Sequence, residues 1–152
     1  MAMKQEDKEL LLKDLCSRLP YGVEVAFQVG NNMPDIRIFT GKDYDYLKYY
    51  HFIDEFTNCT FKPYLRSISS MTEEEMNELK TLCSIYIPTD SPTIGFEEYG
   101  IIVFTHHLTN NTYSFKLSVS VIDWLLKNHF DYRGLIEKGL AIEVNKENNP
   151  YK

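Results

Sequence analysis

Several signatures that would assign a function are missing from this sequence. It has three cysteines in 152 residues, Cys16, Cys59 and Cys83, and none belongs to a C-x-x-C pair of the kind used by metal and redox sites. The G-x-G-x-x-G, G-x-x-x-x-G-K-[ST], H-E-x-x-H and G-x-S-x-G patterns are missing as well. We therefore predict no catalytic, cofactor-binding or metal-binding residues, and we interpret the cysteines as small buried side chains. A small enzyme whose catalytic residues are distant in sequence remains an open alternative.

Long apolar segments and runs of basic residues are also missing. No stretch approaches the roughly 18 apolar residues that cross a membrane, and the first residues are polar where a secretory signal would be apolar. The 22 acidic and 16 basic residues give a net charge of -6, with no three consecutive basic residues. Such a charge repels nucleic acids and anionic lipid surfaces. The sequence therefore predicts a cytoplasmic protein without a membrane partner and disfavours nucleic-acid binding.

What the sequence contains is the composition of a folded domain with an excess of aromatic residues. Hydrophobic residues make up 43% and charged residues 25% of the chain, as in ordinary globular proteins. The chain contains eleven Tyr, nine Phe and one Trp. These residue types are common both in half-buried strands and at binding surfaces. The length predicts one domain, or two small lobes of about residues 1–86 and 95–146, divided near the proline-containing stretch "SIYIPTDSPTIGFEEYG".

The first forty residues predict a helix followed by a β-hairpin. In "QEDKELLLKDLCSRLP" the apolar side chains recur with helical spacing, and Pro20 ends the run. "YGVEVAFQVG" and "DIRIFTG" alternate apolar and polar residues, as half-buried strands do, on either side of the turn "GNNMP". The predicted apolar faces are Leu11, Leu12, Leu15, Cys16 and Leu19 in the helix, and Val23, Val25, Phe27, Val29, Ile36 and Ile38 in the strands.

Two stretches in the middle of the chain predict secondary structure, the first only from its residue types and the second from a specific capping pattern. Residues 43–65 are rich in Tyr, Phe and Thr, which favours strand over helix. In "SSMTEEEMNELKTLC", by contrast, Thr72 and Glu75 have the spacing of a capping box, and three glutamates occupy the first turn. We predict a helix over residues 73–84. Its consecutive glutamates fan out by about 100° each, so they do not form a shared carboxylate site.

The C-terminal half predicts a hairpin, a helix and a last strand. Two strand-like runs flank "LTNNT", and the second has one face of Tyr113, Phe115, Leu117 and Val119. Ser120 can cap a helix over residues 121–129. We expect Gly139 to adopt a left-handed conformation that ends the following turn. An inward-facing strand through Leu140, Ile142 and Val144 follows, and the polar tail "NKENNPYK" is expected to fray.

These elements together predict an α+β fold. It would consist of a small antiparallel β-sheet or a barrel-like unit, three main helices, and a C-terminal hairpin-helix-strand. No internal repeat is present.

The candidate partner-binding residues lie at the start of the segment "HFDYRGLIEKGLAIEV" and in the predicted helix just before it. Trp124, His129, Tyr132 and Arg133 lie close together around the end of the last predicted helix, and Trp, Tyr and Arg are the residue types that concentrate binding energy at protein interfaces. The competing interpretation is that these four anchor the turn to the core. A third reading is a winged-helix-like segment that contacts nucleic acid, although the helix carries Asp123 beside Lys127 and Asn128 rather than a basic face.

Two long strings also resemble known sequences. "FKPYLRSISSMTEEEMNEL", residues 61–79, and "IDWLLKNHFDYRGLIEKGLAIEV", residues 122–144, resemble a group of small uncharacterised proteins encoded in gut Bacteroidetes chromosomes, prophages and related mobile elements. The resemblance also includes the N-terminal "KELLLKDLCSRLPYGV". It implies a bacterial, mobile-element setting and brings no reaction, cofactor or ligand with it. The leading hypothesis is a non-catalytic protein-interaction module with an unidentified protein partner and an oligomeric state that the sequence does not set.

Overall fold

The computed structural model of the protein describes residues 3–47, 59–83, 93–97, 101–106 and 111–152. Within these ranges the chain has an α+β fold, which confirms the predicted class. Contacts divide it into two units, one of Met1–Arg66 with Gly134–Lys152 and the other of Ser67–Arg133. The helices are α1 (Gln5–Arg18), α2 (Gly41–Tyr46), α3 (Glu73–Leu82) and α4 (Val119–Lys127). The strands are β1 (Glu24–Val29), β2 (Asp35–Ile38), β3 (Cys59–Leu65), β4 (Thr93–Glu97), β5 (Ile101–His106), β6 (Asn111–Lys116) and β7 (Ile142–Glu143).

The first unit is built on a four-stranded sheet of order β2-β1-β3-β7. β1 pairs antiparallel with both β2 and β3, whereas β7 pairs parallel to β3. The sheet is not closed, so of the two expected forms, sheet and barrel-like unit, the sheet is the one observed, although β7 makes it mixed where a purely antiparallel sheet was expected. Its core joins α1 to the sheet and to the C-terminal segment through Leu11, Leu15, Val23, Val25, Phe39, Leu47, Phe61, Leu65, Leu135, Leu140 and Ala141.

Aromatic rings fill the part of this core nearest the hairpin. The rings of Phe27 and Phe61 have centroids 4.6 Å apart, and Phe39 meets Phe61 edge-on at 6.1 Å. Tyr46 meets Phe27 edge-on at 6.0 Å. Edge-to-face contacts of this kind add to the free energy gained by burial alone. In this unit, therefore, part of the aromatic excess serves the core.

The buried face of α1 differs from the predicted one. Leu11 and Leu15 are buried as expected, but Asp14 and Arg18 are fully buried with them, whereas Leu12, Cys16 and Leu19 are only partly buried. Residues 11, 14, 15 and 18 lie on one helical stripe. The guanidinium of Arg18 donates from Nε to Asp14 Oδ2 at 2.6 Å and from Nη2 to Asp14 Oδ1 at 3.2 Å. The two charges enter the core because each neutralises the other in a bidentate pair.

The strand predicted over residues 43–65 is correct only for its last part. Residues 59–65 form β3, but Gly41–Tyr46 is the helix α2, and residues 48–58 lie outside the described ranges. The helix begins here because Asp43 Oδ2 accepts hydrogen bonds from the backbone N–H of Thr40 at 2.9 Å and from its hydroxyl at 2.7 Å. A local capping interaction thus overrides the strand preference of the tyrosines.

The second unit contains an antiparallel sheet of order β4-β5-β6 together with α3 and α4. The predicted hairpin of β5 and β6 and the capped helix α3 are confirmed, with reciprocal hydrogen bonds between Thr72 and Glu75. The predicted connection contains strand β4, while residues 84–92, where the lobe boundary was expected, lie outside the described ranges. Leu79, Val121, Leu125 and Phe130 form the core.

Helix α4 begins two residues earlier than predicted. Ser118, not Ser120, is the N-cap, and its hydroxyl oxygen accepts a hydrogen bond from the backbone N–H of Val121 at 3.3 Å. Val119 consequently lies in the first turn of the helix and is 84% exposed instead of ending the apolar face of a strand. Both serines can cap, and capping at Ser118 is the choice that turns Val121 and Leu125 into the core.

The C-terminal tail does not fray. The side chain of Asn145 accepts hydrogen bonds from the backbone N–H groups of Glu147 and Asn148, and that of Asn148 binds back to Glu143 O and Asn145 N. Tyr151 then donates its hydroxyl to Tyr64 O at 2.7 Å and accepts from the backbone N–H of Glu24 at 3.2 Å. Asparagine turns therefore return the tail to strands β1 and β3.

The buried ion pair predicts an asymmetric response to mutation. Asp14→Ala removes the carboxylate that pairs with the buried Arg18 guanidinium, so we expect the free energy of unfolding to fall by roughly 3–5 kcal/mol in urea titrations. The exposed neighbour Lys13 provides the matched control, and Lys13→Ala should change it by about 0.5 kcal/mol or less. Replacing both partners, Asp14→Leu with Arg18→Met, should recover part of the loss. Equal stability of Asp14→Ala and Lys13→Ala would contradict this account.

Tyr151 predicts a stability change at alkaline pH. Burial raises the pKa of Tyr151 above its usual value near 10, so the folded chain keeps the phenol neutral while the unfolded chain ionises first. The stability that Tyr151 contributes is therefore present below about pH 10 and declines above it. We expect Tyr151→Phe to lose about 1–2 kcal/mol at neutral pH and to show a shallower decline above pH 10 than the wild type. Lys152→Ala should match the wild type throughout.

Candidate functional site

The end of α4 forms the scaffold for the four predicted binding residues. The backbone N–H of His129 donates to Leu126 O at 3.1 Å, and that of Phe130 donates to Leu125 O at 2.9 Å. His129 has φ of 58°, the left-handed conformation that a glycine usually supplies at this position. This pair of hydrogen bonds is the Schellman motif, and it turns Phe130 into the core beside Leu125.

The first unit contains a second copy of the same motif, at the glycine that the sequence singled out. Gly139 has φ of 69°, as predicted, and its N–H donates to Ile136 O at 3.0 Å. The N–H of Leu140 donates to Leu135 O at 2.9 Å, and both of these leucines are buried. The last strand follows as β7, although Ile142 is only partly buried. In this segment the interpretation as a glycine-stopped turn is confirmed.

Trp124 is half-buried and has two defined contacts. Its ring stacks on Phe130 with a centroid distance of 5.6 Å and an interplanar angle of 19°. Its indole Nε1 donates to Glu78 Oε2 on α3 at 3.0 Å, in an exposed position. Trp124 thus connects α4, the Schellman turn and α3 through one side chain, while part of its ring still faces the solvent.

Tyr132 and Arg133 follow the turn as a stacked pair. Tyr132 is half-buried against the core of the second unit, and the guanidinium carbon of Arg133 lies 4.9 Å from the centroid of the Tyr132 ring. The structure therefore brings Trp124 and Tyr132 to one hydrophobic cluster, with His129 forming the bend between them. All four side chains are half-buried, so each combines a structural contact with some accessible surface.

The exposed face of α4 is the surface that would contact nucleic acid if this segment acted as a winged helix. Its exposed side chains are Val119, Ser120, Asp123 and Lys127, with one acid and one base among them. Protein surfaces that bind DNA through a helix concentrate basic and amide groups on the face that meets the phosphates. This face is close to neutral and does not form such a surface.

A surface that the sequence analysis did not identify lies on the β1–β2 hairpin. Ile36 and Ile38 are each 53% exposed on β2, and Met33 in the preceding turn is 90% exposed. β2 is one of the two edge strands in the order β2-β1-β3-β7, and within the described residues no further strand lies beyond it. We call the backbone of Ile36 and Ile38, with the side chains of Met33, Ile36 and Ile38, the β2 edge.

The direction of the backbone groups follows from the pairing with β1. The N–H of Phe39 donates to Val23 O at 2.9 Å, so the backbone of Phe39 points toward β1. Residues of an antiparallel strand alternate in the side to which their N–H and C=O groups point. The backbone N–H and C=O groups of Asp35 and Arg37 therefore point toward β1, whereas those of Ile36 and Ile38 point away from it. The β2 edge thus presents outward-directed backbone donors and acceptors beside exposed apolar side chains.

Arg37 fixes this strand from the opposite face of the sheet. Its guanidinium carbon lies 4.3 Å from the centroid of the Phe27 ring, and its Nη2 donates to Asp43 Oδ1 at 2.5 Å. Asp43 is only 8% exposed, and its other carboxylate oxygen binds Thr40 at the start of α2. β2 is consequently held to β1 by cation–π stacking and to α2 by an ion pair, even though none of the described strands pairs with its outer side.

Comparison with known proteins does not assign a role to either surface. No family model, curated protein or solved structure matches the chain.

The described residues also bear on the remaining candidate chemistries. Burial raises the pKa of Cys16 and of Cys83, which are both half-buried, and this disfavours the reactive thiolate at neutral pH. Among the residues that the structure describes, no three His, Cys, Asp or Glu side chains come together as a metal site would require. In the same ranges, no helix has the length and apolar character needed to cross a membrane.

The left-handed conformation of His129 predicts an order of stability among variants. His129→Gly, His129→Asn and His129→Val all lack the imidazole, so the loss of its contacts does not contribute to the differences among them. A β-branched residue is strained at positive φ, whereas Gly and Asn adopt it readily. We expect His129→Val to be less stable than His129→Gly by roughly 1–2 kcal/mol, with His129→Asn between them. Trp124 fluorescence during urea unfolding measures the order, and equal stability of the three would contradict it.

Proposed function

We propose that this protein is a non-catalytic protein-interaction module that binds a partner polypeptide along the β2 edge. The observation that carries the proposal is a concentration of exposed apolar side chains on one hairpin. Six large hydrophobic residues are exposed in the described part of the chain, and four of them lie between residues 29 and 38: Val29, Met33, Ile36 and Ile38. Clustered apolar exposure of this kind is typical of binding surfaces rather than of scattered surface residues.

The mode of binding that fits this surface is the addition of a strand. An extended polypeptide beside β2 would exchange main-chain hydrogen bonds with Ile36 and Ile38, and its alternate side chains would pack beside theirs. The hydrogen bonds would supply affinity that does not depend on sequence, while the apolar side chains would select β-branched and aromatic partners. An unpaired strand edge is otherwise a liability that proteins usually cover.

The conformation of β2 is also fixed before a partner binds. Arg37 is stacked on Phe27 and paired with Asp43, so β2 loses little conformational freedom when its outer side is covered. Because binding would not require the strand to order itself first, even the short edge of four residues could contribute usefully to affinity.

The half-buried surface of Trp124, His129, Tyr132 and Arg133 is the second candidate for partner contact. It is less favoured because each of these side chains also serves the turn at the end of α4. The cellular setting that we propose is the bacterial cytoplasm, with an association to prophages or mobile elements, and this part rests on the sequence resemblance alone.

A peptide-display selection tests the proposed surface while the natural partner is still unidentified. A library of random linear peptides of about ten residues is selected on immobilised wild-type protein at low surface density. We expect enriched peptides that alternate β-branched or aromatic residues with polar ones, as strands do. Their binding should fall at least about tenfold in Ile36→Lys/Ile38→Lys, since lysines on an edge strand oppose strand addition.

Matched variants separate the two candidate surfaces. Val119→Lys replaces another exposed apolar residue, on α4, and should bind the selected peptides as the wild type does. Arg133→Ala should likewise leave their binding unchanged. Peptides that bind the wild type and Ile36→Lys/Ile38→Lys equally would contradict the proposal, and loss of binding in Arg133→Ala would assign the interaction to the second surface instead.

A further inference from the structure

We infer that the β2 edge pairs with the β2 edge of a second copy of this chain, in an antiparallel register centred on Ile36. This inference rests on the proposed function, because it names the polypeptide that the β2 edge binds. The charge pattern of the strand Asp35–Ile38 supports it, because this strand is complementary to an antiparallel copy of itself.

Among the symmetric registers that the outward-pointing backbone groups allow, two place Ile36 opposite an isoleucine of the second copy. A two-fold axis can pass through the Ile36 pair, so that Ile36 faces Ile36 of the second copy, or through the Arg37 pair, so that Ile36 faces Ile38. Proline has no backbone N–H, so in the first register Pro34 serves only as an acceptor for Ile38. Counting the N–H groups of Ile36 and Ile38 in both copies, each register forms four main-chain hydrogen bonds. Hydrogen bonding therefore does not decide between them.

Charge decides between the registers. In the register centred on Arg37, the two guanidinium groups lie directly opposite each other, and facing like charges destabilise a strand pair. In the register centred on Ile36, Asp35 of each copy faces Arg37 of the other, and the symmetry makes this contact twice. Asp35 is exposed, and the Arg37 side chain is 39% exposed although it binds Asp43, so both can take part. A guanidinium has five N–H donors, and a second carboxylate is within its capacity.

The other face of the joined strands would gather the exposed apolar residues. Side chains of a strand alternate between faces, so Ile36 and Ile38 lie on the face opposite Arg37. In the Ile36-centred register the two Ile36 side chains meet at the axis, and each Ile38 lies beside Pro34 of the other copy. Covering these half-exposed isoleucines removes apolar surface from water without disturbing the core on the opposite face of the sheet.

The same features limit assembly to two copies. A two-fold pairing uses the same surface on both chains and closes on itself, so it leaves no free β2 edge for a third chain. The strand has only four residues and begins after Pro34, which keeps the joined surface small. Interfaces well below about 1,200 Å² form weak, reversible complexes, so we expect dimers at high protein concentration and monomers on dilution.

Sedimentation of the full chain from low micromolar to near-millimolar concentration tests the inference. We expect a concentration-dependent dimer that is lost in Ile36→Pro, because proline removes an outward N–H without touching the bonds to β1. Asp35→Lys should weaken dimerisation at least about tenfold, Asp35→Asn should weaken it less, and Val119→Lys should leave it unchanged. Circular dichroism establishes that each variant is folded.

Disulfide formation tests the register itself and does not depend on the proline variant. Facing residues in a hydrogen-bonded antiparallel pair have Cα atoms about 5.5 Å apart, within the range of a disulfide. Ile36→Cys should therefore cross-link to its own copy rapidly under mild oxidation. Ile38→Cys should not, because the two copies of residue 38 lie about four strand positions apart, on the order of 13 Å. The wild type, with its native cysteines, gives the background.

Failure of this inference can be told apart from failure of the proposed function. A chain that remains monomeric, with Ile36→Cys cross-linking no faster than Ile38→Cys, overturns the dimer, while selected peptides could still bind the β2 edge. A dimer unaffected by Ile36→Pro and Asp35→Lys also overturns it, because the contact then lies elsewhere.

Discussion

The proposed binding surface, the β2 edge, depends on the contacts of the Arg37 guanidinium. The guanidinium stacks on Phe27, whose ring belongs to the aromatic core, and it binds Asp43, whose second oxygen starts helix α2 at Thr40. One side chain therefore connects the edge strand β2 to its neighbour β1, to the core and to helix α2. An exposed ion pair alone contributes about 0–1 kcal/mol, but here the carboxylate is almost buried and the cation also faces a ring. Arg37 thus holds β2 from its inner side, while none of the described strands pairs with its outer side.

The first unit handles its charged residues in two contrasting ways. Asp14 and Arg18 enter the core as a mutually neutralising pair, and they leave no charge for a partner to meet. Asp35 and Arg37 alternate on β2 with isoleucines, and charges on an edge strand oppose unselective pairing with other strands. A charged edge discourages pairing with most other strands, and it favours the strand that presents the opposite charges at the same spacing. In the proposed dimer, the same two residues would therefore serve both solubility and recognition.

Sequence reasoning succeeded where the signal was local. The start of α3 follows from Thr72 and Glu75, and the left-handed turn follows from Gly139, because each depends on hydrogen bonds within a few residues. It failed where two local signals competed. Ser118 and Ser120 can each cap a helix, and only the packing of Val121 against the core selects the first. Likewise, the aromatic residues among positions 43–46 favour a strand, but the hydrogen bond between Asp43 and Thr40 stabilises the start of a helix instead.

The remaining errors came from tertiary structure. Periodicity treated Asp14 and Arg18 as polar and did not reveal that they neutralise each other inside the core. Alternation in "DIRIFTG" correctly predicted a strand, but it cannot tell an inward apolar face from an exposed one. The signals that pointed to exposure were the short length of the strand, the proline that precedes it and the charges within it. Similarly, the sequence did not determine whether the Trp124 side chain is buried in the core or exposed, and in the structure it is half-buried.

The exchange of individual backbone amides with deuterated solvent is the most direct measurement of whether β2 has an open outer side. In dilute protein, the amides of Ile36 and Ile38 should exchange quickly, while that of Arg37, which points toward β1, should be protected. At high protein concentration, the Ile36 and Ile38 amides should gain protection, and the Arg37 amide should change little. Protection of Ile36 and Ile38 equal to that of Arg37 in dilute protein would contradict the account, because the edge would then already be covered within the chain.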